Sequence, residues 1–286
     1  MIKGTWAPCV ALLLSLVLSA EENVPTPASI QPEPLKESWA VGWWMPRHKQ
    51  ILERVAKGNV DLLMIGDSIT HCWEKRGKQV NGQMVWKEYY ARRNAVNLGF
   101  CGDRTENVLW RLQNGEVDGI SPKLAVLLIG TNNAGHRQED PNETALGIQA
   151  IISELRTRLP TTRILLLAIF PRGADGNDAL RKLNTRTNTI IAGFADDKTV
   201  FFLDISGRFL GENGQLLKGS MPDRLHPNEV GYRIWAEAME PTIRKLMGEQ
   251  SETPPPPPRL PPLPLPLPLP PEPAAFGTDG KIGTPR

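Results

Sequence analysis

Three clusters of residues in this chain are of the types that acyl transfer by a serine requires. That reaction needs a nucleophile, a base to take its proton, a group to orient the base, and hydrogen-bond donors for the oxyanion. The first cluster is Gly66-Asp67-Ser68, which follows the apolar run Leu62-Leu63-Met64-Ile65 and leaves a hydroxyl just past a strand end. A serine there can equally be a helix N-cap. In the second, Asp223-Arg224-Leu225-His226, an acid stands three residues before a histidine. One loop can then carry both groups, with the carboxylate at Nδ1 and Nε2 facing Ser68. Of the four histidines, His226 is the preferred base. His71 has only Asp67 as a nearby acid, while His48 and His136 read as structural or surface residues. The third cluster is a pair of loops, 99–103 and 130–133. Gly102 has no side chain to keep a substrate from its N–H, and Asn132 offers an amide donor. With the Ser68 N–H they make a three-donor oxyanion hole, although each alone is as well explained as a turn residue.

Groups so far apart in sequence can meet only if a regular scaffold gathers the loops. Short β-rich runs at 60–65, 95–98, 124–129, 163–169 and 200–203 alternate with helical patterns at 106–113, 144–159, 179–194 and 228–246. Such alternation predicts parallel pairing through βαβ crossovers. The runs Leu124-Ala125-Val126-Leu127-Leu128-Ile129 and Ile164-Leu165-Leu166-Leu167-Ala168-Ile169 are apolar at every position, as a sheet covered on both faces requires. The expected fold class is α/β, a three-layer sandwich around a five-stranded parallel sheet. Ligands of such sheets bind at the carboxyl ends of the strands, where the first and third clusters fall, while Asp223 and His226 stand in a loop just ahead of the last helix.

The ends of the chain differ in composition. Residues 1–20 read as a signal peptide: Lys3, the apolar run 10–18, then Ser19-Ala20. That run is too short to span a bilayer, so the mature protein is expected to be exported, periplasmic or extracellular, without stable membrane insertion. Residues 21–37, with four prolines, read as a linker, 38–250 as one domain, and 251–286 as a proline-rich tail. Proline lacks the N–H and fixes φ, so the tail suits a polyproline II spacer or a ligand for a proline-binding partner. The 33 basic and 31 acidic residues are interspersed, which excludes a nucleic-acid footprint. Cys72 and Cys101 flank the same loops and read as two free thiols, since a bridge would need their Cα atoms within about 7 Å. Most tryptophans read as core, with Trp73, close to Ser68, as the pocket candidate.

The four segments Gly66-Asp67-Ser68-Ile69-Thr70, Gly99-Phe100-Cys101-Gly102-Asp103-Arg104-Thr105, Gly130-Thr131-Asn132-Asn133 and Asp223-Arg224-Leu225-His226, in this order, resemble the four blocks of the SGNH or GDSL hydrolase family. The stretch from Asn97 to Asn133, with Leu167-Ala168-Ile169-Phe170-Pro171-Arg172-Gly173, is similar within that family to the catalytic subunits of the intracellular platelet-activating-factor acetylhydrolases. The resemblance implies a flavodoxin-like SGNH fold, Ser68, Asp223 and His226 as catalytic residues, and Ser68, Gly102 and Asn132 as the oxyanion hole. It implies no cofactor and no metal. The expected substrate is a small acyl ester, lipid or glycan, and a homodimer is open. Arg104 stands where those subunits carry a small polar residue, and reads as a solvated residue at a helix start. The competing readings are the same chemistry on an O-acetylated sugar or polysaccharide, and a non-catalytic binding module on the same fold.

Overall fold

The computed structural model describes residues 25–77 and 80–249. The segments read as a signal peptide, 1–20, and as a proline-rich tail, 251–286, lie outside the described residues. Five strands, β1 (Leu62–Gly66), β2 (Ala95–Gly99), β3 (Leu124–Leu128), β4 (Arg163–Leu167) and β5 (Val200–Leu203), form one parallel sheet in the order β2-β1-β3-β4-β5. Leu62 is level with both Ala95 and Leu124, and Gly66 with both Gly99 and Leu128. The three strands nearest the site therefore end at one level.

Successive side chains of a strand point to opposite faces, and here both faces are core. Leu63, Ile65, Val96, Leu98, Ala125 and Leu127 pack on one side against α1 (Trp44–Val55), α4 (Thr105–Arg111) and α6 (Pro141–Arg158). Leu62, Met64, Leu124, Val126 and Leu165 pack on the other against α3 (Gln83–Tyr89) and α8 (Glu229–Met247). The molecule is a three-layer α/β sandwich, and every expected strand is present. The shorter helices α2 (Ser68–His71) and α5 (Thr131–Arg137) open directly from the ends of β1 and β3, and α7 (Ala179–Ile191) follows β4. Three of the longer helices start on side-chain caps, with Asp140, Asp178 and Asn228 accepting from the N–H groups of Asn142, Arg181 and Gly231. After β1 the chain moves outward to β2; after β3 it moves the other way, to β4 and β5. The crevice at this reversal, over the carboxyl ends of β1 and β3, is where such sheets bind ligands.

One expectation is corrected. The described part of the segment read as a linker, residues 25–37, packs onto the domain. Leu35 is buried, the Ser29 carbonyl accepts from Thr105 Oγ1 at 2.9 Å, and the Glu33 carbonyl accepts from Asn107 Nδ2 at 3.0 Å. Proline content marked the segment as irregular, which it is, but irregular backbone docks well when neighbouring side chains satisfy its carbonyls.

Candidate active site

Ser68 is the first residue of α2, and Asp67 before it accepts from the Ile69 N–H at 2.9 Å. The cap is thus Asp67, and the Ser68 hydroxyl is left for other work. The turn is fixed by two side chains: Tyr232 of α8 donates to the Ile69 carbonyl at 2.7 Å, and Asn97 of β2 donates to the Thr70 carbonyl at 3.0 Å. Gly99 allows β2 to end against α2, since a Cβ there would lie 2.2 Å from the His71 nitrogen. Burial pushes the Asp67 carboxyl up to about 7, against the N–H bond from Ile69 and the charge of His226.

The loop before α8 brings the second cluster to the first. Ser68 Oγ lies 2.8 Å from His226 Nε2, and His226 Nδ1 lies 2.6 Å from Asp223 Oδ2. The other carboxylate oxygen, Oδ1, accepts from the N–H groups of His226 at 2.7 Å and Leu225 at 3.0 Å, so the acid also shapes its own loop. Burial would raise the Asp223 carboxyl, but hydrogen bonds from the His226 ring and from these N–H groups hold it at about 2. Burial pulls His226 down, and the hydrogen bond and charge of Asp223, joined by Asp67, outweigh it, so the ring sits above its ordinary value. With Nδ1–H held by a carboxylate, Nε2 is the acceptor for the Ser68 proton.

A cleft of about 380 Å³ opens over this relay, lined by Ser68, Gly102, Asn132 and His226 together with Trp39 and Cys101. Gly102, at φ +82, turns its loop toward Ser68 in a conformation that side-chain-bearing residues resist. Asn132, in the first turn of α5, donates from Nδ2 to the Asp103 carbonyl at 2.9 Å, which leaves one amide hydrogen for a ligand. The Ser68 and Gly102 N–H groups meet no acceptor among the described residues. The structure therefore brings Ser68, Gly102, Asn132 and His226 to one cleft, with Asp223 hydrogen-bonded to His226. What they can do together is attack a carbonyl from Ser68, move its proton to His226, and hold a developing oxyanion on three donors. Among the described residues no group of three or more His, Cys, Asp or Glu could hold a metal ion.

Several neighbours differ from expectation. Trp73 is fully buried in the aromatic core beneath α8, its ring centroid 4.3 Å from that of Tyr232. The tryptophan that faces the cleft is Trp39, 53% exposed, whose ring overhangs Gly102 so closely that a Cβ there would meet its Cη2 at 2.2 Å. No periodicity marks a residue in an irregular segment, so sequence reading passed over it. Arg104 is not solvated at its helix start. It is buried and paired with Glu106 and Glu37, each at 2.6 Å, which cancels the charge it would bring to the cleft. His136 reaches the cleft wall, 3.3 Å from Arg104, whereas His48 is buried on Glu116 at 2.8 Å and His71 turns its Nδ1 to Cys101. Cys72 and Cys101 are both free.

Fold and site together define an ester hydrolase built on a doubly wound sheet. Residues 64–234 match the GDSL-like lipase/acylhydrolase family, and the chain belongs to that family. It is similar to platelet-activating factor acetylhydrolase IB subunit alpha1 of Pongo abelii, 33% identical over 81% of this chain and 94% of the relative. The human protein of the same name is 32% identical over the same shares. Among solved structures it resembles a GDSL-like lipase from Bacteroides thetaiotaomicron, with a TM-score of 0.55 and 19% identity over 69% of this chain and 97% of that one. It also resembles the acetylxylan esterase Axe2 from Geobacillus stearothermophilus, with a TM-score of 0.51 and 19% identity over 68% and 96%.

Proposed function

We propose that this chain is an exported serine esterase that removes short acyl groups, acetyl above all, through an acyl-enzyme. The observation that carries the reading is the continuous hydrogen-bonded relay Asp223–His226–Ser68 opening on a cleft that also holds Gly102 and Asn132. Ser68 Oγ attacks the ester carbonyl while His226 Nε2 takes its proton. The carbonyl oxygen gathers charge between the Ser68 and Gly102 N–H groups and the Asn132 amide. His226 then returns the proton to the leaving alcohol, and water repeats the sequence on the acyl-enzyme in reverse roles. Asp223 holds the imidazole in the productive tautomer. The preference for acetyl is supported by the curated relatives, which carry acetylhydrolase in their names and match over most of their length. Export rests on the leader, outside the described residues. Among the described residues no helix is long and apolar enough to cross a membrane.

One observation favours a second reading for the leaving alcohol. Trp39 presents a largely exposed ring at the cleft and is stacked on Trp43, centroids 6.1 Å apart and planes within 24°. A flat aromatic platform of this kind suits a saccharide ring as well as it suits a lipid chain. The test compares wild type with Ser68→Ala on p-nitrophenyl esters of increasing acyl length, followed by acetate release from an acetylated lipid and from an O-acetylated xylan. Wild type should cleave acetate far faster than octanoate, and the variant should be folded and inactive. Equal inactivity of both proteins on every ester would favour a binding module instead.

A further inference from the structure

The catalytic relay uses neither cysteine of the described residues, yet Cys101 stands in an arrangement that activates a thiol. Its Sγ lies 3.2 Å from His71 Nδ1 and 3.8 Å from Lys75 Nζ, and Cys72 lines the same cleft. The Cys101 N–H also donates to His71 Nδ1, at 3.3 Å. Nδ1 is thus an acceptor placed to receive the thiol proton. Cys101 is partly exposed and Cys72 is buried, and both line the same cleft as Ser68 and His226. The two backbones meet here: the close approach of Gly99 to His71 lies one residue before Cys72 and two before Cys101. A histidine, an ammonium group and a second thiol around one sulfur are the surroundings that favour a thiolate. The neighbouring Cys72 thiol, then His71 and Lys75, hold the Cys101 thiol below the usual thiol range against the opposing effect of burial.

We propose that Cys101 is a modification site for peroxide-class oxidants, and that Cys72 resolves the product into a disulfide joining the nucleophile helix to the oxyanion loop. In the first step the Cys101 thiolate attacks one peroxide oxygen and the O–O bond breaks. Sulfur is oxidised by two electrons to a sulfenic acid, and the other oxygen leaves as hydroxide or alkoxide, protonated by water. In the second, the Cys72 sulfur attacks Cys101 Sγ, the S–S bond forms, the S–O bond breaks, and hydroxide leaves with the Cys72 proton as water. The order is set by the asymmetry of the pair. Cys101 is partly exposed beside His71 and Lys75, whereas Cys72 is buried; the neighbouring Cys101, with burial second, also pushes the Cys72 thiol up, and the part due to the Cys101 charge disappears once Cys101 is a neutral sulfenic acid. The bridge draws Sγ from His71 and Lys75 toward Cys72 and moves the neighbouring Gly102 N–H relative to Ser68.

The thiol chemistry stands apart from the ester reading; only its effect on rate rests on it. The full chain is treated with hydrogen peroxide and digested, and separately labelled with iodoacetamide at about pH 6, where an ordinary thiol is almost wholly protonated. Cys101 should label roughly tenfold faster than Cys72, and peroxide should yield a Cys72–Cys101 linked peptide that dithiothreitol separates. In Cys72→Ser the sulfenic acid should persist at Cys101 and be trapped by dimedone. Esterase activity should fall with linkage and return on reduction, and Cys101→Ser should be indifferent to peroxide relative to its own untreated rate. Equal slow labelling of both thiols, or oxidation of Cys101 without a linked peptide, overturns the proposal. If no ester is hydrolysed by untreated protein, the function fails while labelling and linkage still decide the modification site.

Discussion

At the scale of single residues, the proposed mechanism makes His226 a base that works only when neutral, in a site that holds its imidazolium form more tightly than water does. For wild type, kcat/KM should therefore rise with pH through an inflection above that of an ordinary histidine. Asp223→Asn keeps an oxygen for the Leu225 and His226 N–H groups but removes the charge. Burial then dominates, so the inflection should move to lower pH, and the plateau should fall about 10⁴-fold as the imidazole loses its oriented tautomer. A profile that keeps its inflection in the variant would remove Asp223 from the role given to it. Much at this scale was legible in the chain itself, because Ser68, Gly102 and Asn132 each follow an unmistakable apolar strand, and Asp223 and His226 stand just before a long helix. Trp39 and Arg104 were not legible. Where they point depends on Gly102 and on Glu37 and Glu106, and only the docked segment brings Trp39 and Glu37 there.

At the scale of elements, the loop that carries Gly102 is held by a buried ionic cluster. Arg111 of α4 has no solvent exposure; it pairs with Asp103 at 2.8 Å and with Glu116, and its guanidinium lies 4.1 Å from the Phe100 ring centroid. Trp44 of α1 donates to the same Asp103 at 2.7 Å, and Asp103 in turn offers its carbonyl to Asn132. Arg111→Ala would strand two carboxylates in the core, and should cost about 3–5 kcal/mol in urea unfolding. A loss below about 1 kcal/mol would mean that the cluster is dispensable. Nothing in the sequence singled out Arg111, because an arginine is seldom fully buried and reads as the wet face of its helix. Helices show the same divide. Those expected at 106–113, 144–159, 179–194 and 228–246 are all present, three of them long and visibly capped, while α1, α2, α3 and α5 went unread. The helix α2 is only four residues long, and α5 is built from Thr131-Asn132-Asn133-Ala134-Gly135, a poor helix former that its place at the end of β3 holds in shape.

At the scale of the whole molecule, the segment 25–37 acts as a strap across the loops and helices that follow β2. A protein beginning at Glu37 should be less stable than one beginning at Glu21 by about 2–3 kcal/mol, chiefly from losing the buried Leu35 and the Ser29 and Glu33 carbonyls that accept from Thr105 and Asn107. The urea midpoints of the two forms measure this; equal midpoints would return the segment to the status of a linker. The strap also imposes an order of events on the ribosome. It is made before the groups it rests on, since Thr105 and Asn107 belong to α4 and the Ser29 carbonyl lies where any side chain on Gly147 of α6 would collide with it. The earliest of these segments to be translated must therefore wait for more than a hundred further residues before it has a seat. Until then Leu35, and Trp39 beside it, are free for whatever meets the nascent chain.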